Sequence, residues 1–227
     1  MTDRAACFSR NIGPLTQDEQ DRLAQATVAV IGCGGLGGYV LEHLARMGIG
    51  HLRLADPDVF SMSNCNRQLN ALTTTLGQNK AHVAARRIAA MHPFCQVRVF
   101  PVDFRQSPVL IGADLAMDCL DESHTRRDLA QACTAQGIPL VHGSVRGWCG
   151  QVGVHMPGGN LYQRLYPQER PTLSPAVLSP TVGLIASLQA AEALKLVLNR
   201  PSHLHNTWMF VDLQYGDMLV QHALPSL

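Results

Sequence analysis

No CxxC pair occurs anywhere in the chain, although it carries seven cysteines. An odd number of scattered thiols, several inside apolar runs, argues against a disulfide framework and predicts reduced cysteines. The ten histidines have no metal-ligand spacing, and neither a Ser-His-Asp nor a Cys-His arrangement is evident. An excess of one charge is also missing. Eighteen Lys and Arg against seventeen Asp and Glu give a net charge of +1, so the basic surface that nucleic acid demands is absent. Uninterrupted apolar runs stay short of the roughly 18 residues needed to span a bilayer. The first ten residues, MTDRAACFSR, lack the apolar centre of a secretory signal. These absences predict a cytoplasmic protein with no membrane and no nucleic-acid partner.

What the sequence does have is ordinary globular composition leaning apolar, 46% hydrophobic over 227 residues, without repeats or low-complexity tracts. That length can bury a substantial core, and a single α/β domain over residues 1–227 is expected. Within it, residues 1–26 read as an arm and a short helix, opened by the capping-box spacing of Thr16 and Glu19. On its residues alone, Arg10 in that arm reads as a solvated surface charge.

The stretch Val28 to Gly38, VAVIGCGGLGG, runs from a buried strand straight into Gly32, Gly34, Gly35 and Gly37. This is the pattern of a phosphate-binding turn, in which Gly32 permits the turn, Gly34 lets backbone N–H groups approach an anion, and Gly37 lets helix and strand pack closely. The helix expected over Leu36 to Met47 aims its positive end at the bound phosphates. The next strand, HLRLAD, ends in Asp56, about 20 residues on, where a carboxylate can bind ribose hydroxyls. Together these predict a Rossmann-like, doubly wound, mainly parallel sheet that binds a nucleotide, and they leave its identity open.

Polar groups crowd the exit of that strand. Asp56 and Asp58 are followed by SMSNCNRQ, a loop at the carboxyl end of the sheet, where Asn64 and Gln68 flank Arg67, whose guanidinium suits phosphate oxygens. Lys80 falls in the first turn of a helix predicted over Leu76 to Met91, a position unfavourable for a cation unless an anion lies nearby. Val97 to Val102 and Asp114 to Cys119 read as strands, and the second delivers Leu120 and Asp121 to the same edge. Asp118 there can satisfy backbone groups, while Asp121 is better placed to reach a metal or a reacting phosphate. A helix over Ser123 to Gln136 and strands over Ile138 to His142 and Gly150 to His155 complete the sheet. Residues 157–178 read as an irregular crossover loop, Ser179 and Pro180 as the cap and first residue of a helix through Leu198, and the end as an antiparallel hairpin around Tyr215-Gly216.

At this point the chain resembles the family of ThiF, MoeB and HesA, the bacterial relatives of ubiquitin-activating enzymes. The resemblance rests on FSRNI, GCGGLGG, ADPDV, SNCNRQ, GQNKA, DCLDE and GSVRGWCGQV, in that order over nearly the whole chain. It implies ATP-dependent adenylation of the C-terminal carboxylate of a small ubiquitin-like sulfur-carrier protein ending in Gly-Gly. By position, it implies that Asp56 holds the ribose, that Asn64, Arg67 and Lys80 hold the triphosphate, and that Asp121 holds magnesium. Asp58, Gln68 and Leu120 join the glycines around the nucleotide. It further implies a homodimer in which Arg10 reaches the phosphates of the neighbouring subunit.

The chain departs from that pattern in three places. Family members commonly carry zinc-binding CxxC pairs, the first where this chain reads NLYQRLYP, and with no cysteine after Cys149 no zinc site is expected. The crossover segment PTLSPAVLSP offers hydroxyls where many members place a thiol, and Glu122 stands where an asparagine commonly follows the aspartate. An inactive partner protein, adenylation of a peptide or a modified nucleoside, and an NAD-dependent oxidoreductase are the competing readings. Lys80 and Arg67 suit a triphosphate far better than a nicotinamide.

Overall fold

The computed structural model describes residues 3–167 and 176–221. Five parallel strands come first, ordered β3 (Gln96–Phe100), β2 (His51–Ala55), β1 (Thr27–Ile31), β4 (Leu115–Asp118) and β5 (Leu140–Arg146). Three antiparallel strands continue the sheet, β6 (Cys149–His155), β7 (Trp208–Asp212) and β8 (Asp217–Gln221). This is the expected α/β architecture with its antiparallel C-terminal extension.

Period-two alternation in β1 divides the core. Val28 and Val30 face one cluster with Leu41 and Leu44 of helix α3 (Gly35–Met47) and Ile185, Ala186 and Ala190 of helix α7 (Ser179–Val197). Ala29 and Ile31 face the opposite cluster, with Leu129 and Cys133 of helix α5 (Ser123–Ala135) and Leu161 and Tyr162 of helix α6 (Leu161–Leu165). A strand buried on both faces needs an apolar run rather than an amphipathic one, which TVAVI supplies. Each Val, Leu or Ile among them contributes about 1.5–3 kcal/mol on burial.

Helix α2 (Gln17–Gln25) starts as Thr16 and Glu19 predict, with both halves of the capping box formed. Several boundaries differ from expectation for local reasons. Helix α4 (Lys80–Met91) begins four residues later than the apolar spacing indicates, because Asn79 caps it by accepting from the His82 N–H at 3.1 Å. Leu178, not Ser179, is the N-cap of α7, with no side-chain cap, and Ser179 is already helical ahead of Pro180. Strand β5 runs on to Arg146 because antiparallel pairing with β6 continues to Cys149, overriding the two glycines nearby. The arm carries a short helix α1 (Arg4–Phe8), capped by Asp3 and anchored by Phe8, which packs edge-on against His92 at 5.3 Å between ring centroids. The crossover region is not wholly irregular, since it holds α6; its residues 168–175 lie outside the described residues. Among the described residues no helix is long and apolar enough to cross a membrane.

Candidate active site

The carboxyl edge of the parallel strands gathers most of the residues singled out above. Gly32 leaves β1 with φ +93°, and its N–H donates to Ala55 O at 2.9 Å, tying the turn to the neighbouring strand. A Cβ on Gly37 would collide with the Gly32 carbonyl, so the glycine is what allows α3 to close onto the strand end. A Cβ on Gly32 would lie 2.6 Å from Cys119 O, which shows how closely the β4 exit abuts the turn. Gly34 is the N-cap of α3 and provides no side-chain hydrogen bond, so the first-turn N–H groups stay available to an anion.

Asp56, 6% exposed, shapes this turn directly. Its Oδ2 accepts from the Cys33 N–H at 2.7 Å and its Oδ1 from the Asp58 N–H at 2.8 Å. Burial pushes its carboxyl above the ordinary range, and the two N–H donors oppose that shift. Lys80 donates from Nζ to Asp58 Oδ2 at 2.8 Å, and Asn79 donates to the carbonyls of Asp56 and Asp58. Gln68 lies over the turn, its side-chain nitrogen 3.4 Å from where a Gly34 Cβ would be, and its buried Oε1 has no partner. Two observations therefore fit a nucleotide here, a cradle that a side chain would fill and an orphaned acceptor beside it.

The loop after β2 keeps its polar groups near the same edge. Asn64 Oδ1 accepts from the Ser61 N–H at 3.0 Å, which closes the turn and leaves its amide nitrogen as a donor. Arg67 is folded onto its own loop, donating to Ser63 O and to Asn66 Oδ1, both at 2.9 Å. On the other side, Leu120 borders the turn and Asp121 is exposed, with no hydrogen bond or ion pair among the described residues. An unengaged carboxylate is the donor type magnesium takes.

Arg10 is the residue that the structure does not bring to this edge. It is exposed in the 3-10 turn Ser9–Asn11, and Asn11 donates from Nδ2 to Met47 O at 3.4 Å. Met47 is the last residue of α3, whose first residue is at the glycine turn.

One buried group of side chains lies beyond the sequence reading. Asp118 Oδ2 accepts from Arg126 at 2.8 Å, His142 Nδ1 at 2.9 Å and Tyr162 OH at 2.7 Å, and Oδ1 accepts from the Leu120 N–H at 3.1 Å. Burial would raise the Asp118 carboxyl, but the Arg126 guanidinium with the other donors holds it below its ordinary range. His142 Nδ1 also lies 3.2 Å from Arg126 Nη1, and burial lowers the pKa of the ring while the Asp118 carboxylate opposes that shift. The missed signal was a charge on an apolar face: Arg126 falls in register with Leu129, Ala130 and Cys133 along α5. Tyr162 and Leu165 pack into the second apolar cluster.

A doubly wound sheet with a glycine turn at its carboxyl edge and a lysine and an arginine close by defines a nucleotide-binding α/β protein. The chain belongs to the ThiF family, which it matches over residues 8–225. It is 34% identical to the SAMP-activating enzyme E1 of Haloferax volcanii, over 88% of this chain and 77% of that one. Identity to the sulfur carrier protein ThiS adenylyltransferase of Escherichia coli is 33%, over 84% of this chain and 80% of that one. To the E. coli molybdopterin-synthase adenylyltransferase it is 34%, over 79% and 76%. In fold the chain is similar to the crystal structure of E. coli MccB with ATP, TM-score 0.82 at 22% identity, covering 97% of this chain and 71% of that one.

Proposed function

We propose that the protein uses ATP to adenylate the C-terminal carboxylate of a small ubiquitin-like sulfur-carrier protein ending in Gly-Gly, releasing pyrophosphate. The observation that carries this reading is the anion cradle, an uncapped α3 N-terminus at the glycine turn with Lys80 and Arg67 nearby. The carrier and adenylyltransferase names of relatives at 33–34% identity support the substrate. We read residues 1–227 as a single domain for this one reaction.

In this chemistry the carboxylate is its own nucleophile and attacks the α-phosphorus as the bond to the β-phosphate breaks. The site needs preorganised positive charge rather than a general base. Asp56, Gln68 and Leu120 border the nucleoside side of the turn; the N–H groups of Gly34 and Gly35, with Asn64, Arg67 and Lys80, take the phosphates. Lys80 and Arg67 exchange their present partners, Asp58 and the loop oxygens, for phosphate oxygens. Asp121 would hold magnesium, which supplies charge neutralisation on the triphosphate. The two thiols beside the turn are poor nucleophiles: burial raises Cys33 and Cys119, which keeps them protonated at neutral pH. The deciding experiment is ATP–pyrophosphate exchange with Gly-Gly-ending carriers from the same organism. Exchange that depends on the carrier supports the reading. Its absence with every such carrier, in a protein that binds ATP, rejects the carrier as substrate.

A further inference from the structure

The Asp118 group joins three parts of the chain that are remote in sequence. The first is the turn leading to Asp121: Leu120 donates its N–H to Asp118, and its carbonyl accepts from Arg126. The second is β5, where Arg126 donates to Gly143 O at 2.7 Å and His142 meets Asp118. The third is the first part of the crossover. Tyr162 donates to Asp118, the Tyr166 hydroxyl lies 3.4 Å from His142 Nε2, and the Arg126 guanidinium sits 5.9 Å from the Tyr166 ring centroid.

We propose that Arg126 and Tyr162 are positioning residues of the adenylation site. Through Asp118 they fasten the Leu120–Asp121 turn to the start of the crossover, so that the seating of that segment sets where the Asp121 carboxylate lies. The inference rests on the role for Asp121 proposed above.

Two physical points favour positioning over plain stabilisation. A buried ion pair seldom stabilises more than well-packed apolar residues of the same volume, so net stability alone does not account for this one. The oxygens that Arg126 reaches are also telling, because two of them belong to Leu120 and Asp118, one and three residues before Asp121. Asp121 has no partner of its own among the described residues, so the turn just before it sets the region its carboxylate can reach.

The test is a double-mutant cycle on binding of ATP with magnesium to the full chain, read by calorimetry. Tyr162→Phe removes only the hydroxyl that meets Asp118, and should weaken binding about fivefold, the scale of coupling between hydrogen-bonded neighbours. In an Asp121→Asn background the same change should alter affinity less than about twofold, because the group being positioned is gone. Arg126→Lys, which keeps the charge but loses the planar fork, should show the same non-additivity and serves as the second arm if Tyr162→Phe does not fold. Effects that simply multiply overturn the positioning role and leave Asp121 in the site. An Asp121→Asn protein with unchanged affinity overturns the Asp121 assignment and this inference with it.

Discussion

Lys80 is held by Asp58 at both of its ends: Nζ donates to Asp58 Oδ2 at 2.8 Å, and the backbone N–H donates to Asp58 O at 2.9 Å. The lysine opens α4, where the helix dipole disfavours a cation, and the carboxylate beside it offsets that cost. Its side chain is 10% exposed while that of Asp58 is 65% exposed. An incoming triphosphate therefore meets a cation that is already largely desolvated and aimed. Lys80→Ala should remove a charge-assisted phosphate contact of roughly 1.5–3 kcal/mol and weaken ATP about tenfold or more. Calorimetry that finds tight NAD binding, indifferent to Lys80→Ala, would reject the triphosphate reading.

The glycine turn gives a second expectation, with an internal control. A Cβ at Gly37 meets backbone, the Gly32 carbonyl, which cannot rotate away, so Gly37→Ala should lower the melting temperature and abolish ATP binding together. Gly183 is inside α7 with nothing within 4 Å of its would-be Cβ. There the change to alanine should stabilise by up to about 1 kcal/mol, since only the helical entropy difference remains. Thermal melts of the two variants decide it, and a Gly37→Ala protein as stable as the parent would show that the strand and helix do not close as described.

These cases also show what the sequence could and could not convey. The glycine turn, the buried β1, the Thr16–Glu19 box and the hairpin at Gly216, with its φ of +81°, were legible because each is set by neighbours within a few residues. Helices α1 and α6 were not, because five residues carry too little propensity or periodicity to register. The extension of β5 past Gly143 depends on a partner strand rather than on its own residues. Least legible was the Asp118 group, where residues 118, 126, 142 and 162 meet only after the sheet and α6 have assembled.

A pH dependence follows from His155, far from the carboxyl edge and paired in register with Leu140 at the start of β5. The ring is 2% exposed; Nε2 lies 3.0 Å from Thr134 Oγ1 and Nδ1 has no partner. Burial lowers its pKa from 6.5, so the unfolded chain binds the proton more readily than the folded one. The contribution is complete above pH 6.5 and is lost as the pH falls through the lowered folded-state value, at a slope of at most about 1.4 kcal/mol per pH unit. Melting temperature measured against pH should fall on acidification below 6.5, and His155→Gln should make that fall shallower. An unchanged slope in the variant would remove His155 from the account.

The last expectation concerns Arg10 and a second copy of the chain. Asn11 is bonded to Met47, the final residue of α3, and α3 spans thirteen residues from Gly35. Twelve steps of helix separate the two ends by about 18 Å, farther than an arginine side chain extends. If Arg10 serves an adenylation site at all, that site belongs to another subunit, and its guanidinium would stabilise triphosphate charge from outside. Mixing Arg10→Ala subunits with Lys80→Ala subunits tests the arrangement, because each heterodimer combines one doubly defective site with one intact site. After full exchange about a quarter of all sites should be intact, and pyrophosphate exchange should return toward that fraction of the parent rate. If subunit exchange is verified and no activity returns, or if the active species sediments as a monomer, Arg10 does not act across subunits.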